Sequence, residues 1–243
     1  MYQSFYTGAL GAGSFLTKLS VISNNLANIN NSGFKAENVE FSRLMQQNLN
    51  DSEDAVTELM GGNGMRVQRT YSNFGTAAVT QTNGILDFAI LQDNAFFMLQ
   101  DVGTDEISYT RNGHFHRGEL DGRFYLMTDS NRLVLDRNQQ PIEVGQAEGE
   151  DLAAIRERVA LYTFNNPSRL MHVGDNEFVP ADEGADPILI ENPSLATGAL
   201  ERSDTDMADE MVKVIQCQRA FSYALKVVTT ADEIESTINS LRG

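Results

Sequence analysis

Residues 203–242 read SDTDMADEMVKVIQCQRAFSYALKVVTTADEIESTINSLR, without proline or glycine. Apolar side chains recur at Met207, Met211, Val214, Phe221, Leu225 and Val228, with Gln218 in the one polar slot. Steps of four and three mark the a/d seam of a coiled coil. Past Val228 the seam moves back by one and continues at Val227, Ala231, Ile234, Ile238 and Leu241. A straight helix drifts in this way against a strict heptad. Forty residues in one helix would span roughly 60 Å. Acids crowd the start (Asp204, Asp206, Asp209, Glu210) and bases follow (Lys213, Arg219, Lys226), which suits the helix dipole. Ser203, with Asp206 three residues on, resembles a capping box. A long helix with so narrow a stripe needs a partner helix.

The matching pattern lies at the other end of the chain. Phe5, Ala9, Ala12, Leu16, Leu19, Ile22, Leu26 and Ile29 again fall in steps of three and four. Asn24, Asn25, Asn28 and the run Asn30-Asn31-Ser32-Gly33 close that helix, with Gly33 expected in the left-handed conformation at its end. Two terminal seams around a middle without heptads imply a chain that leaves as a helix, builds something else, and returns as a helix against the first. The pattern alone allows an ordinary antiparallel pair in a monomer, or seams completed only by neighbouring copies.

In the middle the period changes to two. Met65 to Tyr71 alternates, and Ala78 to Thr82 runs into the turn dipeptide Asn83-Gly84. Ile85 to Gln100 splits into two strands at Gln92-Asp93-Asn94. Ile107 to Arg111 meets Asn112-Gly113, a hairpin signal, and Asp121-Gly122 divides two more strands. Short strands with turns every eight to twelve residues indicate an antiparallel β domain or barrel. A short acidic helical turn is expected within 148–158, a hairpin over 170–179, and a last strand at Ile188 to Ile190. The expected fold class is α+β: long N- and C-terminal helices pairing as an antiparallel coiled coil, with a central all-β, antiparallel, barrel-like domain. The expected organisation is residues 1–33 as the N-terminal helix, 34–74 as an extended or loop-rich connector, 75–198 as the β domain and 199–243 as the C-terminal helix.

Composition narrows the function. The 243 residues suffice for one or two real cores. A net charge of −16 argues against nucleic acid or an anionic membrane as the main partner. No run of eighteen apolar residues exists, so no membrane insertion is expected. The start, MYQSFYTGALGAGSF, is a poor secretory signal because no base precedes its apolar core. Cys217 is the single cysteine, which excludes an internal disulfide.

Nothing in the sequence reads as catalytic, and no cofactor or metal is expected. His114 and His116 alternate on one strand but lack a third ligand, and solvent-facing strand histidines are the simpler reading. Gly8, Gly11 and Gly13 follow no strand, so they suit close helix packing better than a phosphate loop. Cys217 lies beside the seam as a small packed side chain.

Several stretches together resemble the flagellar rod and hook family. Asn24-Asn25-Leu26-Ala27-Asn28 followed by Ser32-Gly33-Phe34-Lys35 resembles its N-terminal signature. Leu86-Asp87-Phe88-Ala89-Ile90 with Phe96-Phe97, then Tyr109-Thr110-Arg111-Asn112-Gly113-x-Phe115, resembles its central domain. Gly198-Ala199-Leu200-Glu201, Ser203, Asp206, Glu210-Met211, Gln218-Arg219-Ala220-Phe221 and the run Lys226 to Glu233 resemble its C-terminal signature. The likeness is greatest to basal-body rod proteins of the distal and proximal types. Two departures stand out: Asp93-Asn94-Ala95 replaces the usual glycine pair, so Asn94 must take a positive φ or the turn be rebuilt, and Ser203-Asp204-Thr205-Asp206 replaces Ser-Asn-Val-Asp.

The resemblance implies a structural subunit of the bacterial flagellar basal body, exported unfolded through the flagellar type III apparatus without a cleaved signal. It implies a helical homopolymer, a tube carrying torque from motor to hook, with adjacent rod and hook proteins as further partners. Residues 34–74 would contact neighbours. The subunit interface would use Leu16, Leu19, Ile22, Leu26, Ile29, Met207, Met211, Val214, Phe221, Leu225, Val228, Ile234, Ile238 and Leu241. The alternative is a non-polymerising binding or adaptor module, a β domain on a helical stalk.

Overall fold

The structure, a computed structural model, describes residues 2–45, 47–48, 60–82, 84–145, 152–181 and 186–242. The expectations for Asn83 and for the start of the 148–158 turn, and part of the 34–74 connector, lie outside the described residues. The chain divides into two compact units, Met1–Ala27 with Glu37–Tyr71 and Asp206–Gly243, and Asn28–Ala36 with Ser72–Thr205.

The first unit is a helix pair with a strand ribbon. α1 (Tyr2–Ala27) packs on α3 (Met207–Arg242). The pair is antiparallel: Gly8 sits against Val228 and Ala224, while Phe15 sits against Cys217. α3 starts at Met207, later than the capping-box expectation. Asp206 is its cap, since its Oδ1 accepts from the backbone N–H of Ala208 (2.7 Å) and Asp209 (3.2 Å). Ser203 instead accepts from Thr205 N–H at 3.3 Å. β1 (Glu37–Arg43) pairs with β4 (Met65–Ser72), and β2 (Gln47–Asn48) pairs with β3 (Met60–Gly61). The ribbon lies along α1: Asn25 exchanges two hydrogen bonds of 2.9 Å with the Glu37 backbone, and Phe41 meets Phe15 edge-on. The glycine-rich 61–64 stretch also packs on the helix, with Gln3 donating to Asn63 at 2.9 Å.

The second unit is antiparallel β. Its strands are β5 (Val79–Gln81), β6 (Phe88–Ile90), β7 (Ala95–Asp101), β8 (Ile107–Thr110), β9 (Phe115–Leu120), β10 (Arg123–Thr128), β11 (Arg132–Val134), β12 (Tyr162–Thr163), β13 (Leu170–Gly174), β14 (Glu177–Pro180), β15 (Ile188–Leu189), β16 (Leu195–Thr197) and β17 (Ala199–Glu201). A short helix, α2 (Leu152–Arg158), interrupts them. The main sheet runs β13-β14-β8-β7-β11-β10-β9, with β12 joining β7 and β15. The expected barrel is corrected here: the sheet is open, ending at β13 and β9, and β16–β6 and β17–β5 form separate two-stranded pairs.

β7 organises this unit. Alternate side chains point to opposite faces, and both faces are covered. Ala95, Phe97 and Leu99 enter a core with Phe88, Phe115, Leu126 and Leu161. Phe96 and Met98 enter another with Phe74, Tyr109, Phe164 and Phe178.

Asn94 takes φ +54°, as the loss of the glycine pair requires. Asp121-Gly122 turns β9 into β10 with both residues at positive φ, and Asp175-Asn176 does the same between β13 and β14. Asn112-Gly113 is not a hairpin: β8 pairs with β7 and β14, whereas β9 pairs with β10. Gly113 is needed for another reason, because a Cβ there would run into the Phe88 carbonyl oxygen. Gly33 has φ +68° but does not end α1, which stops at Ala27. It lies flat on the Arg111–Asn112 backbone, where a Cβ would clash at 2.6 Å.

Candidate assembly surface

The helix pair meets over small residues. A Cβ on Gly8 would stand 2.9 Å from Val228 Cγ2 and 3.1 Å from the Ala224 carbonyl oxygen. A Cβ on Gly11 would stand 3.8 Å from the Ala224 Cβ. Cys217 is buried and donates its S–H to the Phe15 carbonyl oxygen at 3.1 Å, and burial pushes its thiol pKa up. Along α3, Glu210, Val214, Cys217, Phe221, Ala224, Val228, Ala231 and Glu235 are covered, with Lys213 and Ala220 half-buried beside them. That is a heptad seam in steps of four and three.

This seam shares Val214, Phe221, Val228 and Ala231 with the sequence pattern. It substitutes Cys217 and Ala224 for Gln218 and Leu225. The cause is on α1: Gly8 and Gly11 let the backbones approach so closely that a leucine could not fit between them. On α1, Ile22 is buried, Leu19 and Leu26 are half-buried, and Leu16 is exposed; Ile29, beyond the helix, is half-buried.

The larger apolar side chains of α3 therefore stay outside. Met207, Met211, Leu225, Ile234, Ile238 and Leu241 are all more than two-fifths exposed. At about 100° per residue, Met207, Met211, Ile215 and Leu225 flank the seam on one side. Tyr223, Val227, Ile234 and Ile238 flank it on the other, further along the helix. The second flank borders a groove of about 450 Å³ lined by Ser4, Tyr223, Val227, Thr230 and Ile234. A second groove, about 390 Å³, lies on the far side of α1 between Tyr6, Ala9, Leu10, Gly13 and Val67. α3, at 36 residues, is longer than the 26 of α1, so its last two turns or so run on without a partner from α1.

In the β unit the family-like motifs converge on one buried ionic cluster that sequence reading did not single out. Lys35 Nζ donates to Glu201 Oε1 at 2.7 Å and to the Gly75 carbonyl at 2.6 Å. Arg111 Nε donates to Glu201 Oε2 at 3.0 Å, and its Nη1 to the Ala95 carbonyl at 2.9 Å. Ala77 N–H completes the Glu201 carboxylate at 2.7 Å. All three side chains are fully enclosed. Burial first, then the charge of Arg111, holds the Lys35 ammonium below the usual lysine range. Gly33 N–H donates to the Glu201 carbonyl and Asp204 N–H to the Phe34 carbonyl, so backbone bonds reinforce the clasp. The signal available in sequence was a charged residue in each of three family-like stretches: Lys35 after Gly33-Phe34, Arg111 after Tyr109-Thr110, and Glu201 after Ala199-Leu200. Of the other N-terminal motif residues, Asn25 is buried on the ribbon, Asn28 accepts from Asn31, and Asn24 and Ala27 are exposed.

The histidines do not converge. His114 Nδ1 lies 2.8 Å from Asp87 and His116 Nδ1 lies 3.6 Å from Asp129, while the His172 ring stacks near Phe178. Among the described residues no three His, Cys, Asp or Glu side chains are grouped as a metal site.

Comparison with known proteins agrees with this arrangement. Residues 5–35 match the family described as flagella basal body rod protein. Residues 196–241 match the C-terminal family of flagellar basal body rod FlgEFG proteins. The flagellar basal-body rod protein FlgG of Bacillus subtilis is 29% identical, with the whole of both chains aligned. That of Borreliella burgdorferi is 28% identical over 100% of this chain and 99% of its own. The flagellar hook-basal body complex protein FlhP of Bacillus subtilis is 24% identical over the full length of both. Matched at both ends by family models of basal-body rod proteins and along its whole length by rod proteins, the chain is similar to the flagellar basal-body rod protein family.

Proposed function

We propose that this chain is a structural subunit of the flagellar basal-body rod that polymerises through its terminal helices into a helical tube carrying torque from motor to hook. One observation carries the reading: α3 has apolar flanks on two sides of its seam, at different heights. An isolated pair would gain nothing from them, whereas each exposed Leu or Ile buried by a neighbour contributes about 1.5–3 kcal/mol. Contacts on two different sides are heterologous and build open arrays rather than closed dimers. Met207, Met211, Leu225, Ile234, Ile238 and Leu241 are then contacts between copies. Leu16 joins them from α1, while Leu19, Ile22, Leu26, Val214, Phe221 and Val228 serve the pair itself or its edges; Ile29 lies beyond α1. Adjacent rod and hook proteins extend the same contacts. The subunit leaves the cell by type III export, and its role needs no catalysis.

Limited proteolysis with mass spectrometry tests this. About thirty N-terminal and forty C-terminal residues should be cut from the free subunit and protected in the assembly. Ends that resist protease in a discrete monomer or dimer would replace the rod with a binding module on a helical stalk. Leu225→Asp should abolish assembly while the β unit stays folded.

A further inference from the structure

The unpartnered end of α3 and the groove on the far side of α1 match each other. The tail presents Ile234, Ile238 and Leu241 at i, i+4 and i+7, and Leu241 is 82% exposed. The groove has a floor of small residues, Ala9 and Gly13, between Tyr6 and Leu10 on α1 and Val67 on β4. A Cβ on Gly13 would meet nothing within 4 Å, so the floor is open. An amphipathic helix laid in an apolar groove uses this spacing of anchors.

Charge points the same way. Residues 229–242 hold Asp232, Glu233 and Glu235 against a single base, Arg242. α1 holds one charged residue, Lys18, and β4 beside the groove carries Arg66, while its Arg69 is already paired with Glu40 of β1 at 2.7 Å. The tail cannot enter the groove of its own copy. Gly8 and Gly11 turn one side of α1 to α3, and the groove opens on the other.

We infer that the last two to three turns of α3 dock in the α1–β4 groove of a second copy, joining subunits head to tail. This rests on the polymerising reading above and gives one of its contacts a specific occupant. Such an interface does not close on itself, so it propagates along a filament.

Disulfide cross-linking of the full-length chain tests it. In a Cys217→Ala background, Ala9→Cys subunits are mixed with Ile238→Cys subunits, assembled and oxidised. A cross-linked dimer containing one of each, absent when either is assembled alone, is the expected result. Assemblies that form without it overturn this inference and leave the rod reading intact. Failure of the wild-type chain to assemble at all overturns both. If the cysteine variants alone fail to assemble, charge reversal decides. Glu235→Arg should raise the critical concentration by about tenfold, and Arg66→Glu added to it should restore assembly. No rescue overturns the inference.

Discussion

On β7 of the β unit, Phe96, Phe97, Met98 and Leu99 are consecutive and all buried, two facing each way. On α3 of the helical unit, Met207, Met211, Leu225 and Ile234 are all about half exposed. The β unit spends its large side chains on its own interior and closes it with a buried ion cluster. The helical unit joins its helices through glycine, alanine and cysteine, and keeps its large side chains outside. The β unit buries its large apolar side chains within itself, whereas the helical unit leaves its larger ones exposed.

The comparison can be broken most forcefully at Glu201. Glu201→Ala leaves Lys35 and Arg111 buried without a counter-ion and should cost the β unit about 3–5 kcal/mol. Urea denaturation followed by tyrosine fluorescence would read this; a loss under 1 kcal/mol would mean that the clasp is not what closes the unit. Next comes Gly8→Val, which forces the helices apart at Val228 and Ala224 and should cost about 1–3 kcal/mol. The loss should appear as reduced helical circular dichroism, with the β unit's denaturation midpoint unmoved.

The smallest effect on the monomer is expected from Leu225→Asp. As an exposed substitution it should stay within about 0.5 kcal/mol, so a large loss of monomer stability would place Leu225 inside the pair after all.

A pH titration sharpens the contrast from the other side. Burial pushes the Tyr109 hydroxyl up to about 12. An unfolded tyrosine ionises near 10, so between these values the unfolded chain has lost a proton that the folded chain keeps. Stability is therefore full below pH 10 and falls as pH rises toward 12. Tyr109→Phe should flatten that fall in the β unit's denaturation midpoint, and an unchanged slope would refute the assignment.

Much of this was legible in the chain itself. Period-two alternation places β4, and the turn residues around β7 and β8 place those two strands. Asp121-Gly122 marks a true hairpin because two positive φ values suit its residues. The positive φ at Asn94 follows from a turn that has lost its glycines. The Asn112-Gly113 signal misled because Gly113 answers to the Phe88 carbonyl, a contact 25 positions away. The clasp was hidden because Lys35, Arg111 and Glu201 are far apart in sequence, and a lone charged residue usually faces water.

By itself, then, the sequence determined two terminal helices with heptad spacing, an antiparallel β middle, and motifs that resemble those of rod proteins. Periodicity and turn chemistry are local, and local rules suffice for them. Only the tertiary structure decided which face of α3 meets α1, because that depends on how near two backbones can come. Gly8 and Gly11 set that distance, and in doing so they turn Leu225, Met211 and Ile234 outward. The sheet's openness was likewise decided by long-range pairing, since no local pattern tells β9 or β13 whether a further strand will close the ring.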